Sequence, residues 1–481
     1  MTDRSDRRAV DVSLLVTALA LLAGGLVAGV GLGRDSLWLD ETYTWLFVRM
    51  PWPDLLTSAR IDAVNPPLYY ILVKALVGTA LQTEAALRIP SVVFHLLGIA
   101  GAASIGATVG GRTGRAAAAW MWAIHPMAVW YAREARPYAL AAALAAITTA
   151  CFLRAERGAS SRRWILGGLS LAAGLVSHYF FFVFAGTLVL ASVASLRERP
   201  EFFRRWTLLT LAALIPLAAW LSWFFQQGQP SLGIGWISRP RLVDVALTSW
   251  NMVSGYGGRL DLGTTLWGIV LLSLATLALF DPVDGRAARR YVAAGIVLPL
   301  LGVWLVSLRR PVFVDRYFLI LLPWVAVLVA LGAQAVHRFA TVRRSRLWAW
   351  AGIASAILGI AVAAQVLTAE KYRKEDWRSL VDAVQNGGAA SSDMVLSEPE
   401  VSLPLTYYGA LPAISAGDRL VPVCDRTCWW ILRQPYTVTH AFTQSVQDSS
   451  RPWLPDIPAG CRRMTLWESP TGIQAWELAC P

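Results

Sequence analysis

The feature that most limits this chain is a succession of apolar runs, each about 17–22 residues long and almost free of charge. That is the length a bilayer's hydrocarbon core requires. Of 481 residues 56% are hydrophobic, and the mean hydropathy is +0.49. Soluble domains usually stay near about 45–50% apolar, so the chain reads as a mainly α, polytopic membrane protein. The first run, residues 12–32, is too long for a signal-peptide core and lacks a clear cleavage site, which makes it a retained helix.

The pattern predicts eleven spanning helices, near residues 11–32, 88–109, 115–132, 137–153, 164–178, 179–196, 206–225, 263–280, 291–308, 318–337 and 347–367. The formal charge of +12 is no sign of nucleic-acid binding, because the basic residues concentrate in short loops between apolar runs. Loops 1–10, 110–115, 154–163, 197–205, 281–290 and 338–346 hold 20 Lys and Arg in 54 residues. Loops 34–88, 133–136, 227–262 and 309–316 hold 13 in 103. Basic loops stay cytoplasmic, so the second set is expected outside. This parity decides segment 66–81. As a spanning helix it would send the basic loops outside, so it is read as a helix lying in the interface, with its Tyr and Lys at headgroup level. Residues 164–196 are read as a helical hairpin turning at Ser177-His178-Tyr179. A single long tilted helix is the alternative.

Beyond residue 368 the composition turns polar and Pro-rich. A helix-like stretch from Glu375 to Asn386 stops at Gly387-Gly388, and short strand-like runs follow at 394–396, 429–432 and 473–478. The expected organisation is a transmembrane module over 1–368, with an outer loop at 34–87, and a small extracytoplasmic α/β domain over 369–481. Cys424, Cys428, Cys461 and Cys480 all fall in that domain. Four cysteines in one outer segment suggest disulfides, and no pair of pairs has zinc-site spacing. Cys151 sits in an apolar run and reads as packing. No internal repeat and no Gly-rich phosphate loop are evident.

With this topology, ionisable outliers gather at one membrane level. Asp40 and Glu41 follow the first helix. Arg133, Glu134, Arg136 and Tyr138 join the third and fourth. Ser177, His178 and Tyr179 form the hairpin turn, and Asp315, Arg316 and Tyr317 precede the tenth helix. Ionisable groups at membrane depth are costly and are functional candidates by default. Each also has a plainer reading: Arg133 and Arg136 snorkel and pair with Glu134, His178 is a polar turn residue, and Arg316 is an interfacial anchor. Taken together they suit group transfer from an anionic lipid carrier. A carboxylate takes the proton of an acceptor hydroxyl, Arg holds phosphate oxygens, and Tyr rings, including Tyr69 and Tyr70, stack on sugar faces.

In chain order, Leu37-Trp38-Leu39-Asp40-Glu41, Asn65-Pro66-Pro67-Leu68-Tyr69-Tyr70, Arg88-Ile89-Pro90-Ser91, Ala132-Arg133-Glu134-Ala135-Arg136-Pro137-Tyr138, Ser177-His178-Tyr179 and Arg316-Tyr317-Phe318 resemble the bacterial GT-C glycosyltransferases. These are relatives of protein O-mannosyltransferases and of the aminoarabinose transferases that act on lipid A. The resemblance covers residues 10–380. It implies an inverting transferase at the outer face of the cytoplasmic membrane, with a polyprenyl-phosphate sugar donor and a lipid, glycan or protein acceptor. By that likeness Asp40 matches the general base, Glu41 its neighbour, Glu134 a second acid, and Arg316 a donor-phosphate ligand. The reaction so read requires no cofactor. Asp40, Glu41 and Glu134 are candidate ligands for the divalent metal some relatives use, although no His–acid cluster is evident. The runner-up is a transporter or flippase of polyprenyl-linked glycans. Transporters tend to carry repeated halves and polar residues near the midplane.

Overall fold

The computed structural model describes residues 2–61, 65–78, 83–158, 160–193, 195–226, 237–254 and 262–343. Further on it describes 355, 357–362, 364, 374–386, 394–396, 402–409, 414–415, 427–433, 462–468 and 473–479. Internal contacts divide the chain into two units, one of Met1–Val30, Pro51–Leu76 and Arg88–Leu367, the other of Gly31–Met50, Val77–Leu87 and Thr368–Pro481.

In chain order the helices are α1 (Thr2–Gly29), α2 (Leu39–Arg49), α3 (Trp52–Ile61), α4 (Leu68–Val77), α5 (Glu84–Ile124), α6 (Pro126–Ala132), α7 (Tyr138–Glu156), α8 (Ser161–Leu175), α9 (Phe181–Val193) and α10 (Pro200–Phe225). Then come α11 (Leu242–Val253), α12 (Leu262–Phe280), α13 (Gly285–Val292), α14 (Leu298–Ser307), α15 (Leu322–Arg343), α16 (Trp377–Asn386) and α17 (Ser402–Tyr407). A π turn, Ala293–Val297, runs α13 into α14, and a 3-10 segment, Asp315–Leu321, leads into α15. Seven helical stretches among the described residues are long and apolar enough to cross a membrane. The chain is a multi-pass, mainly helical membrane protein.

The first unit holds the spans. α5 is two arms. Its path leaves helical geometry at Gly110 and Gly111, where Gly111 takes a φ of 60° that only glycine adopts cheaply. A Cβ on Gly106 would strike the backbone of Gly114, so only glycines let the arms approach this closely. The expected break at 110–115 is this turn. α7 and the stretch leading into α15 are the most enclosed spans, whereas α1 and α10 turn most of their surface outward. Alanines dominate α7 and let neighbours come close. Phe152 of α7 meets the rings of Trp206 at 4.9 Å and Trp324 at 6.3 Å, and Trp324 Nε1 donates to Thr187 Oγ1 at 3.1 Å. Thr148 and Ser170 share a 2.8 Å hydrogen bond between α7 and α8. At one end Glu156 accepts from Ser195 at 2.7 Å and from Tyr291 at 3.0 Å, and pairs with Arg290 at 2.9 Å.

The chain between α8 and α9 does turn, at residues 176–180, so one long helix through 164–196 is excluded. α8 has the expected 15 residues but lies earlier in the chain, and α9 is shorter than expected, because the turn takes up Ser177 through Phe180. α4 has ten residues. At about 1.5 Å per residue it reaches roughly half of a ~30 Å hydrocarbon core, too short to span. Helices α2, α3 and α11 occupy loops for which no helix was expected. The span expected at 347–367 lies mostly outside the described residues.

The second unit carries a five-stranded sheet of β1 (Met394–Leu396), β2 (Ile414–Ser415), β3 (Thr427–Arg433), β4 (Arg462–Glu468) and β5 (Ile473–Ala479), in the order β2-β1-β3-β5-β4. β1 runs parallel to β2 and β3, while β5 is antiparallel to β3 and β4. Trp430 and Trp476 are register partners in the backbone pairing of β3 and β5. With α16 this makes the C-terminal part α/β, and β2 and β4 are additions to the three strands expected. Of the four clustered cysteines, Cys424, Cys461 and Cys480 lie outside the described residues, and Cys428 falls in β3. Cys151 is free and buried in α7. The unit also takes in 31–50 and 77–87.

Candidate active site

Asp40 and Glu41 stand in the first turn of α2, in the second unit. Acids are favoured there because the unpaired N–H groups of a helix start carry partial positive charge. The two differ sharply in environment. Glu41 is fully buried, accepts the Trp38 backbone N–H at 3.3 Å and pairs with Lys374 Nζ at 3.3 Å. Asp40 is half-buried. The neighbouring backbone is also held: the Leu37 N–H donates to Tyr408 Oη at 2.8 Å, and the Leu39 N–H to Glu375 Oε2 at 3.0 Å. Tyr408 in turn donates to Glu84 at 3.1 Å. Burial, then the Glu84 carboxylate, pushes the Tyr408 phenol up, so it keeps its proton.

The remaining expected residues lie in the first unit, where several converge. Tyr138 opens α7 and packs against Tyr131 at 4.9 Å, His178 at 5.5 Å and Tyr317 at 6.5 Å. His178 meets Tyr317 at 5.3 Å. The Arg316 guanidinium lies 5.8 Å from the ring centroids of both Tyr138 and Tyr317, within cation–π range. Arg136 Nη1 approaches Tyr70 Oη at 3.5 Å. The Leu68 N–H donates to Val176 O at 3.2 Å, tying the start of α4 to the turn that carries His178. Segments 65–70, 131–138, 176–180 and 315–318 therefore build one aromatic cluster with two guanidiniums, both largely buried. Proline explains part of the placement: Pro66 and Pro67 immediately precede α4, and Pro137 sits just ahead of α7.

Other expected residues serve elsewhere in this structure. Arg133 donates to the carbonyls of Ala28 at 2.9 Å and Val30 at 2.6 Å, closing the end of α1. Glu134 is buried and accepts from Trp130 Nε1 at 2.8 Å. Tyr179 accepts from Trp220 Nε1 at 3.1 Å, and Tyr69 bonds Ser91 at 3.1 Å. Among the described residues no group of three or more His, Cys, Asp or Glu side chains is placed to hold a metal ion. Glu41 already has a cation as its partner.

Sequence reasoning missed Asn251, Lys374 and Glu375. Asn251 Nδ2 donates to Asp315 Oδ2 at 3.0 Å, next to Arg316. Its sign was the buried spacing Thr248, Asn251, Met252 on α11, with an amide among apolar residues.

Residues 64–223 match the family model described as dolichyl-phosphate-mannose-protein mannosyltransferase. No curated protein matches the chain. Among solved structures, the chain resembles ArnT from Cupriavidus metallidurans in the apo state, with a TM-score of 0.60 and 13% identity over 98% of each chain. The same protein bound to undecaprenyl phosphate matches with a TM-score of 0.59 and 12% identity, over 96% of this chain and 97% of that one. The archaeal oligosaccharyltransferase AglB from Archaeoglobus fulgidus, in complex with an inhibitory peptide and a dolichol-phosphate, matches with a TM-score of 0.54 and 12% identity, over 84% of this chain and 64% of that one. The family match covers residues 64–223 alone, and at 12–13% identity the likeness to ArnT and AglB is one of fold.

Proposed function

We propose that the chain is an inverting glycosyltransferase that moves a sugar from a polyprenyl-phosphate carrier to an acceptor hydroxyl at the outer face of the cytoplasmic membrane. The observation that carries this reading is the cluster of Arg136 and Arg316 among Tyr70, Tyr138, His178 and Tyr317. Two guanidiniums suit a phosphate, and the rings suit the faces of a sugar. The undecaprenyl phosphate bound by ArnT and the dolichol-phosphate bound by AglB support a lipid-linked phosphate as the ligand class. The family name of the matched segment supports a hexose.

In the proposed reaction the Asp40 carboxylate takes the proton of the acceptor hydroxyl. The freed electron pair of that oxygen forms a bond to the anomeric carbon from the face opposite the phosphate. The bond from that carbon to the phosphate oxygen breaks, and its electron pair leaves on the polyprenyl phosphate. Arg316, seconded by Arg136, holds the phosphate oxygens and balances the charge that grows there. His178 Nδ1 accepts the Phe180 backbone N–H at 3.1 Å. Its ring is therefore neutral with the proton on Nε2, a donor for a sugar hydroxyl or phosphate oxygen, and Asp40 is left as the base.

The basic-loop bias supports an extracytoplasmic site and C-terminus. Membranes containing the protein are incubated with polyprenyl phosphates carrying labelled mannose, glucose, arabinose or galactosamine. Transfer of one label to a new product, with release of polyprenyl phosphate, is the expected result. Movement of intact lipid-linked sugar between leaflets, with no transfer, would replace this reading by transport. A periplasm-dependent reporter fused after Pro481 should be active, and one fused at Arg343 should be silent.

A further inference from the structure

Three consecutive backbone N–H groups at the start of α2 are each accepted by a side chain. Leu37 donates to Tyr408, Trp38 to Glu41 and Leu39 to Glu375. Glu375 Oε2 also accepts Trp377 Nε1 at 2.9 Å, and the Arg378 backbone N–H donates to Ser36 Oγ at 3.2 Å. The stretch from Lys374 to Arg378 thus grips residues 36–41 from the C-terminal part of the same unit. At its centre is an ion pair out of water: the Glu41 side chain is 0% exposed and that of Lys374 6%. A carboxylate buried this deeply is strongly disfavoured without a cation. Lys374 beside it helps Glu41 cap α2 as an anion. Successive residues on a helix point about 100° apart, so fixing Glu41 and the backbone of Leu39 also fixes the direction of Asp40.

We propose that Lys374 is a positioning residue for Asp40, holding Glu41 as the cap of α2 so that the base is presented in one orientation. The inference rests on the reading of Asp40 as the base. It assigns Glu41 to the scaffold, and it makes the chain after the last span a working part of the transferase.

The test measures transfer from labelled polyprenyl-phosphate sugar in membranes at equal protein level, with donor concentration varied. Lys374→Met should lower kcat by roughly ten- to a hundredfold, the effect of a slightly misplaced group. The donor KM should change by less than about twofold, because the phosphate ligands are untouched. Lys374→Arg should recover most of the rate. The neutral pair Glu41→Gln with Lys374→Met should transfer faster than either single variant, because the amide oxygen still accepts the Trp38 N–H and no charge is left stranded. A wild-type kcat in Lys374→Met, in membranes where Asp40→Asn is inactive, overturns the positioning role and leaves the base in place. Normal transfer by Asp40→Asn overturns the base reading itself. Should Lys374→Met fail to accumulate, the neutral pair decides. If it accumulates but is as slow as the singles, Glu41 is needed as a carboxylate in the reaction and the proposal fails.

Discussion

Asn251 and Asp315 are joined by a 3.0 Å hydrogen bond from Nδ2 to Oδ2, while Asp315 Oδ1 accepts the Arg316 backbone N–H at 2.6 Å. Both side chains are buried. The bond ties α11 to the 3-10 segment that carries Arg316. His125 Nε2 makes a second tie to α11, with Met252 O at 3.0 Å. Replacing Asn251 by Leu strands a buried carboxylate oxygen, a loss of about 1–3 kcal/mol. Asn251→Leu should therefore raise the donor KM several-fold and lower the melting temperature of the purified protein. Asn251→Asp sets two carboxylates face to face and should be worse on both counts. Donor titrations and a thermal melt of the two variants check this.

Arg316 is read as the principal phosphate ligand. Arg316→Ala should cut kcat/KM for the donor by about 10²–10³, the usual loss when one charge-stabilising donor is removed. Lys should restore only part of it, because a single ammonium lacks the planar fork and stacks poorly on Tyr138 and Tyr317. Binding of polyprenyl phosphate to detergent-solubilised protein separates the two terms. If Arg316→Ala binds and turns over donor normally, Arg136 becomes the leading candidate.

The membrane module was legible because lipid imposes one rule on every span, and because an ionisable residue among alanines and leucines stands out. Arg136, His178 and Arg316 were visible for that reason, and the structure gathers them with Tyr138. Arg133 was equally visible, yet it closes the end of α1. Charge in an apolar setting marks a site that needs a partner and does not say whether that partner is substrate or backbone. Lys374 and Glu375 were invisible for the opposite reason. They sit in an ordinary polar stretch, and only the tertiary fold buries them against α2. Asp40 and Glu41 look alike as neighbours in sequence, and helix geometry alone separates a buried cap from a half-buried carboxylate.

At the far end of the spans, Glu156 gathers Ser195, Arg290 and Tyr291 from different parts of the chain. The Arg290 side chain is 22% exposed and that of Glu156 10%, so water screens the pair only in part. Removing one partner of a buried pair costs up to about 3–5 kcal/mol, less where water reaches it. Arg290→Met should lower the melting temperature by several degrees and leave the donor KM unchanged. Glu156→Gln combined with Arg290→Met should be less destabilised than the sum of the singles, because no charge is then left stranded. Thermal melts of the four proteins in one detergent provide the comparison.

The sharpest prediction separates Asp40 from Glu41. Asp40→Asn keeps the side chain's shape and most of its hydrogen bonding but cannot accept a proton. General-base assistance is worth ~10²–10⁴ in rate, so this variant should transfer sugar at least a hundredfold more slowly, within that range. It should still insert and bind donor, since Asp40 is half-buried and the capping bonds of α2 come from Glu41, Tyr408 and Glu375. Glu41→Gln should fail differently. It retains an oxygen for the Trp38 N–H but leaves the Lys374 ammonium buried without its carboxylate. Its signature should be a lower melting temperature together with a moderate fall in kcat, not a stable, inactive protein. Measuring melting temperature, donor binding and transfer on the same preparations gives the decisive pattern. Asp40→Asn that is stable, binds donor and is inactive identifies the base. Near-normal transfer by a stable Asp40→Asn would remove Asp40 from the chemistry and make Glu134 the next carboxylate to replace.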